Sequence, residues 1–269
     1  MPAAERARME HGHEEEIHIS VWPVVVGAAA FLLYLGLGWP FEGSRPVVLG
    51  LGLVAVVVAV AGWMREDFRL FPRYFYPPGY TRGEGAHVGF WGTVYFLCTE
   101  FMLFGALFAG YFAFRGRAGA EVWETYQPEF PMGLITINTV ILITSGFTMH
   151  WAQNRIAENQ RRKFLWGCVA TLVLGGIFLA LQVNEYISLI DEGFVLGKNA
   201  LATSFFMITG THGFHVFVGL VAISVMLIRG AMGNFDKEHH VAVEGVTLYW
   251  HFVDAVWVFV YVVLYLRWL

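Results

Sequence analysis

Apolar residues in this chain gather into seven long runs, roughly 21–39, 47–64, 88–114, 132–152, 164–188, 202–228 and 245–267. About 20 mostly apolar residues, rising about 1.5 Å each, cross the hydrocarbon core of a bilayer as a helix. Each run therefore predicts a transmembrane helix, and the fold class is all-α, integral to the membrane, with seven spans. The first two runs are short, nearly free of polar atoms and joined through Trp39-Pro40. Between the second and third lies a stretch rich in proline and aromatic residues, including Phe71-Pro72 and Tyr76-Pro77-Pro78-Gly79. The organisation predicted is a polar tail over 1–20, a helix pair over 21–64, a loop over 65–87 and a five-helix group over 88–269.

Composition explains why lipid must be the second solvent. Hydrophobic residues make up 57% of the chain and charged residues 14%, with a mean hydropathy of +0.56. A soluble domain carries about 25% charged residues. The net charge of −4 offers no basic surface for nucleic acid. Cys98 and Cys168 sit inside apolar runs with no ligand spacing, which argues against a disulfide or a zinc site. The first 20 residues are polar and mostly acidic, unlike the basic start of a secretory signal. They read as a cytoplasmic tail, with a metal-binding cluster of His11, His13 and His18 as the minor alternative. Lys and Arg in alternate connections number twelve on the side of the N-terminus and five on the other. The excess of positive charge predicts a cytoplasmic N-terminus and an extracytoplasmic C-terminus, as an odd number of spans requires.

Ionisable residues inside the runs need a reason, because each costs about 2.5–3.5 kcal/mol on insertion scales. Glu100 lies near the centre of the third run, and Glu185 near the outer end of the fifth, where it either reaches water or bonds a neighbour. His212 and His215 stand one turn apart in the sixth, and His251 and Asp254 are similarly spaced in the seventh, which Glu244 opens. Helix rise places His212 and Asp254 at similar depth in antiparallel neighbours. The expectation is that the sixth-span histidines pair with the acids or histidine of the seventh. Three uses compete: helix cohesion and docking of a partner, a proton or ion path, and ligation of haem or metal by His212 and His215. Transporters usually show broken helices and repeated halves, and neither is evident. Axial haem ligands usually come from different helices. His150 reads as interfacial. Asn138, Thr139, Thr144 and Ser145, with Gly210, Gly213 and Gly219, read as helix-packing residues. Tyr249, Trp250, Trp257 and Tyr261 read as packing or interface anchors.

Several of these segments together resemble one family. Tyr249-Trp250-His251-Phe252-Val253-Asp254, followed by Val256-Trp257, resembles the signature of subunit III of haem–copper oxidases. The segment Thr209-Gly210-Thr211-His212-Gly213-Phe214-His215-Val216 is similar to that family's Thr-Gly-x-His-Gly-x-His-Val. Ile137-Asn138-Thr139, Ser145-Gly146, Leu181-Gln182 with Glu185-Tyr186, and Trp63 with Arg65 and Arg69 follow in the family's order. The resemblance runs from about residue 60 to the C-terminus.

It implies seven helices, split by a lipid-holding V-shaped cleft into helices 1–2 and 3–7. It also implies contact with subunits I and II, and support of turnover and proton uptake. The chain itself would carry no haem, copper or other cofactor besides bound phospholipid, the haem and copper residing in partner subunits. By the same resemblance Glu100 matches the family's carbodiimide-reactive glutamate, and Trp63, Arg65, Arg69, Arg229, His239 and His240 would face lipid headgroups. The segment from Gly89-Phe90-Trp91 to Glu100 resembles bacterial versions, including quinol oxidases. Seven spans and Tyr249-Trp250 favour the cytochrome c class in a bacterial plasma membrane. A quinol oxidase subunit and a stand-alone transporter are the alternatives.

Overall fold

The computed structural model describes residues 20–37, 43–74 and 88–266. The described residues form eight α-helices and one π-helical turn, and they include no strand. The helices are α1 (Trp22–Leu37), α2 (Arg45–Tyr74), α3 (Val88–Ala118), α4 (Ala120–Thr125), α5 (Met132–Ala157), α6 (Arg161–Asp191), α7 (Ala200–Met232) and α8 (Val241–Val260), which runs into the π-helix Tyr261–Tyr265. Six of them are long and apolar enough to cross a membrane. The first is a shorter apolar helix of 16 residues, about 24 Å at the usual rise. The tail histidines, Trp39-Pro40 and residues 75–87 lie outside the described residues.

The chain divides into two compact units, Met1–Tyr80 and Thr81–Leu269. In the first, α1 and α2 form a hairpin. Small residues line its seam: Ala29 and Ala59 are buried, and a Cβ added at Gly52 would lie 2.6 Å from the backbone of Leu33. Close approach of this kind is what holds helices together in lipid, where apolar burial supplies no drive. The expected loop over 65–87 begins as helix, because α2 continues through Tyr74. Charged residues such as Arg65 and Glu66 are compatible with a helix that has left the apolar phase.

In the second unit α5, α6, α7 and α8 form a ring in which each packs on its neighbours, and α3 lies against α7 and α8. Trp250, Trp257, Phe164, Phe178 and Phe205 are its largest fully buried side chains. Trp250 and Trp257, seven residues apart, share one stripe of α8. Trp250 fits because α7 offers Gly219, where an added Cβ would come within 2.6 Å of the indole. The helix α7 is closed at both ends. Asn199 Oδ1 accepts from the Ala202 N–H at 2.7 Å, and Gly233, at φ 88°, ends it in the left-handed conformation. Arg161 from the first turn of α6 donates Nε to the Gly230 carbonyl at 2.6 Å and a second N–H to Ala231, using carbonyls the helix leaves open. The short α4 folds back so that Trp123 meets Tyr111 edge to face.

Candidate functional site: polar groups inside the spans

Glu100 on α3 meets His215 on α7, with Oε2 to Nε2 at 3.0 Å and both side chains largely buried. The other ring nitrogen, Nδ1, lies 2.7 Å from the Thr211 carbonyl. A carbonyl only accepts, so Nδ1 carries a hydrogen. One further proton is then held between Nε2 and Oε2, either on a neutral acid or on an imidazolium facing a carboxylate. In both forms the pair is neutral overall, which suits its depth in the membrane. Tyr249 completes the setting by donating its hydroxyl to the His215 carbonyl at 2.9 Å, while the Phe104 ring lies 5.2 Å from the imidazole. One turn from Glu100 begins an apolar groove of about 560 Å³ between α3 and α8, walled by Phe101, Phe104, Phe108, Phe252 and Phe259.

The expected pairing between the sixth and seventh spans does not form. His215 turns to α3. His212 is buried against Trp257, ring centroids 5.0 Å apart, and edge-on to Phe178, with neither ring nitrogen hydrogen-bonded among the described residues. Asp254 lies instead beside α5, where a Cβ added at Gly146 would collide with its carboxylate. It faces His251 on its own helix, Nδ1 to Oδ2 3.7 Å. Helix rise says nothing of rotation about the helix axis, and it is rotation that decides these partners. Because α8 turns its tryptophan stripe to the core, Asp254 and His251 fall on the flank facing α5.

Glu185 bonds its neighbours rather than reaching water. It is buried, accepting the Tyr265 hydroxyl at 2.9 Å and the Gln182 amide at 3.1 Å. Tyr265 reaches it from the π-helix, a partner that nothing in the local sequence signals. Trp250 Nε1 donates to Ser145 Oγ and Trp257 Nε1 to Thr139 Oγ1, each at 3.0 Å. These anchors of α8 therefore also bond the small polar residues of α5. Tyr261 likewise pairs with Thr136 at 2.7 Å. His150 is exposed, its ring 5.8 Å from that of His251.

The headgroup candidates are spread over several settings. Trp63 and Arg65 are exposed on α2, and the Arg69 side chain lies outside the described residues. Arg229 is buried, its guanidinium over the Phe235 ring at 5.8 Å. His240 is buried and bonded to the Asp236 carbonyl at 3.0 Å, and its Nε2 lies 3.3 Å from Glu244 Oε1. His239 donates to Asp236 at 3.0 Å. Partial burial acts to raise the Asp236 carboxyl. Hydrogen bonds from the His239 ring and from the N–H groups of Glu238 and His239 outweigh it and hold the group below its ordinary value. Among the described residues no three His, Cys, Asp or Glu side chains gather as metal ligands.

A sequence profile described as cytochrome c oxidase subunit III matches residues 13–268. The chain is 31% identical over 253 residues to cytochrome c oxidase subunit 3 of Scyliorhinus canicula, covering 91% of this chain and 94% of that relative. It is 32% identical, with the same coverage, to the protein of that name from Xenopus laevis. A match over nearly the whole length, with relatives more than 30% identical along nine-tenths of the chain, leaves one assignment: the chain belongs to the cytochrome c oxidase subunit III family.

Proposed function

We propose that this chain is the accessory, non-redox subunit III of a proton-pumping terminal oxidase of the cytochrome c class, in a bacterial plasma membrane. In this reading it packs beside haem- and copper-bearing subunits I and II, holds phospholipid and supports proton uptake into subunit I. Its N-terminus is cytoplasmic, and its first helix completes seven crossings. The observation that carries the reading is the match to the subunit III family along residues 13–268. The charge asymmetry of the connections supports the orientation. The groove beside Glu100, walled by phenylalanine, has the chemistry of an acyl-chain site. Arg65, exposed on α2, supplies a cation of the kind that attracts headgroup phosphates.

The intramembrane acids favour an accessory role over transport. Glu100 with His215, Glu185 with Tyr265 and Gln182, and Asp254 with His251 form separate groups whose hydrogen bonds do not join into one path among the described residues. The test is affinity purification of the chain in mild detergent, followed by mass spectrometry and an optical spectrum. Haem-bearing and copper-bearing chains in the same peak are expected. A colourless, single-component, folded peak would overturn the proposal and favour a stand-alone membrane protein.

A further inference from the structure

Around Phe178 of α6, side chains of α5, α7 and α8 meet in one layer of the bundle, and its polar atoms do not satisfy one another. Asn138 on α5 donates Nδ2 to the Phe178 carbonyl at 3.3 Å, while its Oδ1 has no hydrogen-bond partner among the described residues. Because a carbonyl only accepts, that bond also fixes which end of the amide is the oxygen. One turn along α6, Gln182 donates Nε2 to Glu185 at 3.1 Å, and its Oε1 is likewise unpaired. His212 on α7 stands edge-on to Phe178, with the Trp257 ring 5.0 Å away at a tilt of 31°. Neither of its nitrogens is bonded. Asn138, Gln182 and His212 are only 2%, 4% and 1% exposed, so neither bulk water nor a lipid headgroup reaches them.

Buried polar atoms are costly to leave unpaired, and a bundle set in hydrocarbon has no surrounding solvent to repair the loss. A neutral imidazole offers one N–H and one lone-pair nitrogen, whereas the two amide oxygens only accept. The His212 N–H serves at most one of those oxygens well, and the other stays open. Water has what the set lacks, two O–H donors for the oxygens and a lone pair for the N–H, and buried water typically makes about three such bonds. We infer that this layer binds ordered water, one molecule of which donates to Asn138 Oδ1 and Gln182 Oε1 and accepts from a His212 N–H. That molecule links α5, α6 and α7 inside the bundle, and it extends the Glu185, Gln182 and Tyr265 group toward the core. The competing acceptor for the His212 N–H is an aromatic face, which leaves both amide oxygens bare. The site lies wholly within the bundle, so it stands whatever partners the chain has.

The test is an electron cryo-microscopy map of the full-length protein, in whatever complex it purifies with, at a resolution that shows ordered water. A peak is expected within hydrogen-bond distance of Asn138 Oδ1, Gln182 Oε1 and one His212 nitrogen. Direct contact between His212 and either amide, or no peak among the three, overturns the inference. A peak at the shorter distances of a coordinated cation does so too. His212→Phe keeps an aromatic ring between Phe178 and Trp257 but removes the donor. The peak is expected to be lost in that variant while the Tyr265–Glu185 contact remains, and a peak of unchanged height would overturn the part given to His212. Solid-state NMR of the wild-type protein with labelled histidine needs no variant to fold. Magnetisation is expected to pass from water to the His212 ring N–H; transfer to exposed His150 but none to His212 would overturn the inference.

Discussion

The α1–α2 hairpin and the α3–α8 bundle solve the same problem, helix cohesion in lipid, by different means. The hairpin seam uses small residues, with Ala29, Ala59 and Gly52 at the contact and Val24, Phe31, Leu51 and Val57 turned outward. The bundle adds polar links between helices far apart in sequence: Trp250 to Ser145, Trp257 to Thr139, Tyr249 to the His215 carbonyl, Tyr265 to Glu185, and Glu100 to His215. Close contact between small residues sets distance but tolerates sliding. A hydrogen bond between two named atoms fixes register and rotation as well. The bundle is thus the part of the chain whose sequence specifies a single arrangement.

The strongest way to break that contrast is Trp250→Ala, which removes one of the two buried tryptophans together with its bond to Ser145. It is expected to destabilise the bundle by about 3–5 kcal/mol, read as a fall in the detergent or thermal midpoint of the purified protein. Filling the hairpin seam with Gly52→Val should be milder, about 1–3 kcal/mol from overpacking. Pairs of cysteines across α1 and α2 would report the splaying, and unchanged cross-linking would refute the role given to Gly52. Trp257→Phe keeps an aromatic ring but a smaller one, removing one donor and some packing volume and leaving Thr139 with its own backbone bond. A loss of about 2 kcal/mol is expected, and a loss as large as that of Trp250→Ala would show that the polar links do more than packing.

Glu100→Gln retains a group able to bond His215. Assembly is expected to survive, with oxygen-reduction activity altered modestly. Complete loss of activity in an assembled complex would contradict an accessory role. The smallest effect lies in the turn before α8. The Asp236 carboxyl is lower in the folded state than in the unfolded chain. Its stabilisation of the turn is therefore present above the unfolded value near pH 4 and declines as pH falls through the folded value. Hydrogen exchange at the amides of 238 and 239 should accelerate over that acidic window in the wild type but not in Asp236→Asn.

The positions of the helices were legible because a run such as 202–228 has no soluble explanation, and the ends of α7 carry their own signals in Asn199 and Gly233. Rotation about each axis was not legible. In a soluble helix, the contrast of polar and apolar faces tells which side meets the core. Here α5, α6 and α7 show little contrast between their faces, so little distinguishes the side that touches a protein neighbour from the side that touches lipid. His212 and Asp254 illustrate the consequence: one packs against Trp257 and Phe178, the other against Gly146. Glu100 and His215 were each conspicuous as ionisable groups in apolar runs, yet their partnership depended on α3 crossing α7. The partner of Glu185 was hidden for another reason. Tyr265 reaches it through a π turn, and no pattern in Tyr261-Val262-Val263-Leu264-Tyr265 announces one.

That π turn has a bearing on changes of length in this region. A bond from i to i+5 accommodates one residue more than an α-helical turn does. Deleting a residue within 261–265 would therefore act less as a shortening than as a screw motion. The chain beyond would rotate by about a quarter turn and advance by about 1.5 Å, carrying the Tyr265 hydroxyl off Glu185 while leaving the preceding tryptophan stripe in place.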